Sequence, residues 1–217
     1  MNPPPADVAS PVEDVQGDGR WMSLHEYHVS LTREREPDVL FVGDSLIQQL
    51  GQSEVWQEMF VGFHSLNFGI GGDCTHHLLW RLENGELENI EPKVIVLMVG
   101  TNNHGHTAEE VTKGIEAVAQ LIVTKQPQAH VIVLGIPPRG QKPNKLREKM
   151  VAINDALRVS LPKLGRVEFL DSTKEFVHSD GLIDPSDMYD FLHLTNKGYR
   201  KLCEPLFVRL GELLQKD

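Results

Sequence analysis

The sequence predicts a three-layer α/β sandwich around a parallel sheet of about five strands. Two patterns carry that expectation. Short apolar runs recur at 39–42, 93–99, 130–136 and 167–170. They lack the polar alternation of a half-exposed strand, so they read as strands buried on both faces. Between them lie helical stripes. Val111, Ile115, Val118 and Ile122 repeat at i, i+4, i+7 and i+11, and so do Leu146, Met150, Ile153 and Leu157. Each stripe gives a helix one apolar face to lay on the sheet.

In chain order, residues 1–12 are rich in proline and small side chains and read as a mobile tail, with one domain over 13–217. Gln16-Gly17-Asp18-Gly19 is a turn before a first helix over 21–35. The first strand covers 38–42, a helix 53–60 and a second strand 63–67, which runs into Gly69-Ile70-Gly71-Gly72-Asp73. A helix bearing Leu78, Leu79, Trp80 and Leu82 stops at Asn84-Gly85. The third strand leaves through Gly100-Thr101-Asn102. Thr107 and Glu110 then have capping-box spacing. Pro137-Pro138 ends the fourth strand. The final helix, from about Asn196, carries Leu202, Leu206, Leu210 and Leu214, with Pro205 expected to kink or restart it.

Composition narrows the class. A chain of 217 residues fits one α/β domain, and 40% hydrophobic with 24% charged residues is a globular balance. The net charge of −10 argues against nucleic acid as the main partner. Cys74 and Cys203 cannot build a disulfide framework and suit a reducing compartment. No signal peptide is read at the start, and the apolar run at 94–99 is too short for a transmembrane segment. A soluble cytoplasmic protein is expected.

Chemistry concentrates where strands end. Gly43 lets the chain turn off the first strand, and Ser45 follows at the carboxyl edge, where open α/β sheets place ligands. Ser45 taken alone is equally a helix cap. As a nucleophile it needs a base, and the base needs a carboxylate; His193 and Asp190, three residues apart, can meet locally. The backbone N–H groups of Ser45 and Gly72 and the Asn102 amide are candidate oxyanion donors. Taken singly, Gly72 is equally a turn residue, and an isolated Asn such as Asn102 more commonly caps a helix or orders a loop. Asp44 is assigned to capping or to ordering the loop, not to catalysis. Leu46 follows the nucleophile and Leu192 precedes the histidine, so both are expected to wall an acyl pocket. The glycine block at 69–74 fails the dinucleotide template because Cys74 takes the third glycine's place. His76-His77 and His104-Gly105-His106 lack a third or fourth ligand at plausible spacing, so no metal and no cofactor are expected.

Taken in this order, Gly43-Asp44-Ser45-Leu46, the block ending at Gly72, Gly100-Thr101-Asn102 and Asp190-Phe191-Leu192-His193 resemble the SGNH (GDSL) hydrolase superfamily. Asn67-Phe68-Gly69-Ile70-Gly71-Gly72-Asp73, Leu79-Trp80-Arg81-Leu82-Glu83-Asn84-Gly85-Glu86-Leu87, Val99-Gly100-Thr101-Asn102-Asn103-His104 and Phe176-Val177-His178-Ser179-Asp180-Gly181 are similar to one family within it. That family is the catalytic α subunits of intracellular platelet-activating factor acetylhydrolase, type IB. The likeness covers nearly the whole chain. It implies a flavodoxin-like five-stranded sheet, a Ser45–His193–Asp190 triad and hydrolysis of the sn-2 acetyl ester of platelet-activating factor. It also implies a homo- or heterodimer of α subunits and binding to the WD-repeat lissencephaly protein, a dynein regulator. Two residues depart from the patterns. Asn103 stands where the superfamily usually has Asp, though the α subunits share the Asn, and Cys74 stands where Ser or Thr is expected. Two other readings compete: a non-catalytic α-like subunit that only docks on the WD-repeat partner, and an esterase for carbohydrate O-acetyl groups.

Overall fold

The computed structural model describes residues 3–215. Five strands, β1 (Val39–Gly43), β2 (Ser65–Gly69), β3 (Val94–Met98), β4 (His130–Leu134) and β5 (Val167–Leu170), form one sheet in the order β2-β1-β3-β4-β5. Every neighbouring pair is parallel. Because side chains alternate along a strand, each strand feeds two cores. Leu40, Val42, Ile95, Leu97, Val131 and Val133 face one side, under α4 (Thr75–Arg81), α5 (Ala108–Lys125) and α6 (Lys145–Ser160). Val39, Phe41, Val94, Val96, Met98 and Ile132 face the other, under α2 (Ser45–Leu50), α3 (Glu54–Met59) and α7 (Asn196–Leu214). The first helix, α1, spans Arg20–Glu34.

This order has a functional consequence. From β1 the chain turns outward to β2, then returns across the sheet to place β3 on the other side of β1. The loops after β1 and β3 therefore diverge and leave a crevice at their carboxyl ends, the ligand position in flavodoxin-like sheets. Ser45 follows β1 and Asn102 follows β3.

Three expectations need correction. Residues 3–12 do not form a mobile tail. Ala6 is buried and its carbonyl accepts the Thr75 hydroxyl at 2.7 Å, while the Pro4 carbonyl lies 2.7 Å from His106 Nε2. Ser10 N–H reaches the His76 carbonyl at 3.2 Å. Prolines stiffen this strap, so laying it down costs little chain entropy. Residues 1–2 of the expected tail lie outside the described residues. The second strand begins at Ser65 rather than at 63, because Val61–Phe63 winds into a 3₁₀ turn and His64 takes a left-handed φ of 48°. Pro205 does not interrupt α7, which runs unbroken through it. Pro205 lies on the exposed face, where water can satisfy the carbonyl that loses its donor, while Leu202, Cys203 and Leu206 hold the buried face.

Candidate active site

The loop that carries Ser45 starts from a close approach of two strands. A Cβ on Gly43 would lie 2.1 Å from the Met98 carbonyl oxygen, so only glycine fits between β1 and β3. Asp44 then caps α2, its Oδ1 accepting the Leu46 N–H at 2.9 Å. Burial, with the Asp73 charge adding to it, pushes the Asp44 carboxyl up to about 7 against the opposing Leu46 N–H. Its assignment as a capping residue agrees with this geometry.

Ser45 opens α2, and its Oγ lies 3.0 Å from His193 Nε2. On the far side of the ring, Nδ1 lies 2.6 Å from Asp190 Oδ2. The other carboxylate oxygen of Asp190 accepts the N–H of Leu192 at 3.0 Å and of His193 at 2.6 Å. That turn bends sharply enough to hold Phe191 at a φ of 60°, unusual for a bulky residue. Its shape is pinned by the Phe191 carbonyl, which accepts Gly140 N–H at 2.7 Å, and by the Met188–Leu194 bridge. Partial burial alone would raise the Asp190 pKa. The hydrogen bonds from the His193 ring and the two backbone N–H groups outweigh it, and the pKa is lowered. An ionised Asp190 fixes the proton on Nδ1 and leaves the Nε2 lone pair for the Ser45 hydroxyl.

The glycine block lies against Ser45: a Cβ on Gly71 would sit 3.7 Å from Ser45 Cβ. Gly71 N–H is held by Gln48 Oε1 at 3.0 Å. Gly72 follows at φ 85°, and its N–H has no partner among the described residues. From β3, the Asn102 side chain gives one amide hydrogen to the Asp73 carbonyl at 3.0 Å, which leaves its second hydrogen free. Asn103, by contrast, is structural. It is buried, accepts Thr75 N–H at 3.1 Å and donates to Thr75 Oγ1 at 2.9 Å.

Leu46 does not wall a pocket. It is 1% exposed and packs into the core beneath α2, since the first turn of that short helix points its second residue at the sheet. Leu192 is half-buried beside His193. Next to Gly71 and Gly72 opens a groove of about 510 Å³, lined by Trp21, Gln48, Ile70 and His77.

Sequence reasoning missed the polar network beneath this groove. Arg81 is fully buried, with Nε donating to Asp73 Oδ2 at 2.8 Å and a second nitrogen reaching the Gly43 carbonyl at 3.2 Å. A third nitrogen is paired with Glu86, whose other oxygen lies 3.0 Å from His25 Nδ1 and 3.1 Å from His28 Nδ1. Trp21 Nε1 donates to the remaining Asp73 oxygen at 2.7 Å. Burial opposes ionisation of Glu86, but Arg81 and the two histidines push it down to about 2. The available signal was an arginine on the apolar stripe of Leu78 and Leu82. Removing it strands two buried carboxyls, so Arg81→Met should cost about 3–5 kcal/mol, read from urea unfolding. An unchanged midpoint would refute the pairing.

The histidines divide into two groups. His106 orders the loop, facing Asn103 at 3.2 Å and the Pro4 carbonyl. His76 and His77 are pushed down to about 4, chiefly by burial, so both rings are neutral. Cys74 Sγ donates to the Asn102 carbonyl at 3.3 Å, and burial with the nearby acids pushes the thiol up to about 11. The sequence set metal aside for want of a third ligand. The fold brings Cys74, His76 and His77 together, with ligand atoms within 4.8 Å of one another.

A serine, a histidine and an aspartate lie in one hydrogen-bonded line at the switch point of a flavodoxin-like sheet, an arrangement that can carry acyl-transfer chemistry in an α/β hydrolase. Residues 41–201 match the GDSL-like Lipase/Acylhydrolase family, and the chain belongs to that family and, within it, to the platelet-activating factor acetylhydrolase IB α subunits. It is 59% identical to platelet-activating factor acetylhydrolase IB subunit alpha2 of Homo sapiens over 98% of this chain and 93% of that one. To subunit alpha1 of Homo sapiens it is 57% identical, over 98% and 92% of the two chains. Among solved structures, "a putative platelet activating factor" from Streptococcus pneumonia superposes with a TM-score of 0.75 at 24% identity, over 87% and 92% of the two chains. The carbohydrate acetylesterase Est24 of Sinorhizobium meliloti superposes at 0.62 and 18% identity, over 82% and 100%. The chain is a carboxylic ester hydrolase. No helix among the described residues is long and apolar enough to cross a membrane.

Proposed function

We propose that the chain hydrolyses the sn-2 acetyl ester of platelet-activating factor, or of related short-acyl phospholipids, through Ser45, His193 and Asp190. The observation that carries this is the unbroken line from Ser45 Oγ through both ring nitrogens of His193 to Asp190, at 3.0 and 2.6 Å. Names of the similar proteins support the acetyl ester and the lipid.

In this reading Ser45 Oγ attacks the acetyl carbonyl carbon as His193 Nε2 takes its proton. The negative charge moves to the carbonyl oxygen, which receives hydrogen bonds from the backbone N–H of Ser45 and Gly72 and from the free hydrogen of Asn102. When the tetrahedral adduct collapses, the bond to the glycerol oxygen breaks and His193 returns the proton to it. Water, deprotonated by the same nitrogen, then releases acetate and restores Ser45. Asp190 keeps the ring in place and stabilises its charged form. The groove beside Gly72 takes the leaving phospholipid, and Leu192 stands at the acyl side. No cofactor enters these steps.

Asn102→Ala should lower kcat by roughly 10²–10³ with little change in KM, the usual loss for one oxyanion donor. A raised KM at constant kcat would make Asn102 a substrate-binding residue instead.

The function is tested on acetyl, butyryl and hexanoyl esters sharing one head group, then on acetyl esters with phosphocholine and carbohydrate head groups. We expect kcat/KM to fall steeply from acetyl to butyryl and to favour the phospholipid. Equal rates across chain lengths, or preference for the carbohydrate ester, would overturn the substrate assignment. A docking-only subunit would show no turnover at all; the intact hydrogen-bonded line argues against it. The relatives are named as subunits, which supports assembly as a homo- or heterodimer of α subunits. Binding to a WD-repeat lissencephaly protein and a cytoplasmic location belong to the same proposal.

A further inference from the structure

The start of α4 carries chemistry that the hydrolytic steps do not use. Cys74, His76 and His77 each offer one ligand atom, and these atoms lie within 4.8 Å of one another. In a tetrahedral zinc shell such atoms stand roughly 3.3–3.6 Å apart, so side-chain rotation of about an ångström closes the set. His76 is 3% exposed, yet its Nδ1 has no hydrogen-bond partner among the described residues. A buried ring nitrogen left unpaired is costly, and a bound cation is a partner that would satisfy it. The cluster borders a pocket of about 350 Å³ that also reaches Glu13, Asn102 and His104, which gives an ion a way in and a fourth position for water. One sulfur and two imidazoles suit zinc rather than a hard cation such as magnesium or calcium.

We propose that Cys74, His76 and His77 form a zinc site beside the oxyanion loop, and that its occupation slows the enzyme. Coordination needs the thiolate, so the Cys74 proton leaves to solvent and the thiol's bond to the Asn102 carbonyl is lost. With His77 binding through Nδ1, the Cys74 N–H that this nitrogen accepts at 3.1 Å is released as the lone pair turns to the metal. Both changes loosen the backbone that carries Asn102 and the Gly72–Asp73 turn. The slowing rests on the oxyanion role proposed for Asn102; the metal site itself does not.

The full chain, freed of metal, is titrated with Co²⁺ while the near-ultraviolet spectrum is followed. One equivalent should raise a thiolate-to-cobalt charge-transfer band that Zn²⁺ then displaces. In parallel, Zn²⁺ should lower kcat several-fold at nearly constant KM, and a chelator should restore it. Cys74→Ser, and independently His76→Gln, each checked for folding by circular dichroism, should weaken Zn²⁺ binding at least tenfold, since even an outer-shell change costs about 10–100-fold. The cobalt band should vanish in Cys74→Ser. No band in the unsubstituted chain, or a band surviving in folded Cys74→Ser, overturns the site. Cobalt binding that leaves turnover untouched by Zn²⁺ overturns the inhibition. A chain without esterase turnover defeats the catalytic reading, and the cobalt spectrum still decides whether the metal site exists.

Discussion

Ser45→Ala should leave a folded protein whose kcat is lower by about 10⁶-fold, the scale seen when a triad enzyme loses its serine. The size follows from the proposed chemistry. Ser45 Oγ is the atom that attacks, and the imidazole 3.0 Å away has nothing else to deprotonate at that position. Removing it leaves only the oxyanion donors and substrate binding, which still hold an ester near water. The fold should barely respond. Alanine is well suited to the first turn of α2, where Asp44 supplies the cap, and the lost hydrogen bond is worth about 1 kcal/mol. An organophosphorus serine-hydrolase probe should label the unsubstituted chain on the peptide containing Ser45 and leave the variant unlabelled. Turnover within a thousandfold of the original, in protein purified away from contaminating esterases, would remove Ser45 as the nucleophile.

What the sequence made legible was the part of the molecule governed by local rules. Runs such as Val94–Met98 need no tertiary information, because an uninterrupted apolar segment between helical stripes has few other places to go. The glycine exits at Gly43 and Gly100 were legible for the same reason: a strand that ends on glycine before polar residues is delivering a loop. The Asp190–His193 contact spans only three residues, so a turn can make it. Several of the failures are long-range. Ala6 is buried only because Thr75 and His106 lie beneath the strap, and those partners are 69 and 102 positions distant from their acceptors. Leu46 looked like a pocket wall by adjacency to Ser45, but a helix aims consecutive side chains about 100° apart, and its own points into the core. The Arg81 network joins α1, α4, the end of β1 and the loop after β2, a convergence that no local pattern announces. Cys74 and the two histidines were considered apart because the cysteine was weighed as a replacement for Ser or Thr rather than as a ligand.

Asp190→Asn should lower kcat by about 10⁴-fold while KM stays within a few-fold, the loss expected when a triad carboxylate becomes an amide. The substitution keeps the shape. An asparagine oxygen can still accept the N–H of Leu192 and His193, so the turn that holds Phe191 at positive φ should survive. What changes is the bond at the ring. Asp190 Oδ2, 2.6 Å from Nδ1, accepts a hydrogen bond there, whereas an amide nitrogen in that position would donate one. The ring would answer by moving its proton to Nε2, and Nε2–H cannot accept the hydroxyl proton of Ser45. The variant should therefore fold, bind substrate and fail at the proton transfer. A separate signature concerns pH. Because hydrogen bonds hold the Asp190 pKa below its unfolded value, the aspartate contributes stability above the unfolded pKa, and that contribution disappears as pH falls through the lowered folded one. In acid, the stability gap between the original chain and Asp190→Asn should narrow, as measured by urea unfolding at neutral and low pH. A gap that widens in acid would contradict the carboxylate's assigned role. A variant retaining more than about a tenth of its kcat would mean that His193 needs no orienting acid.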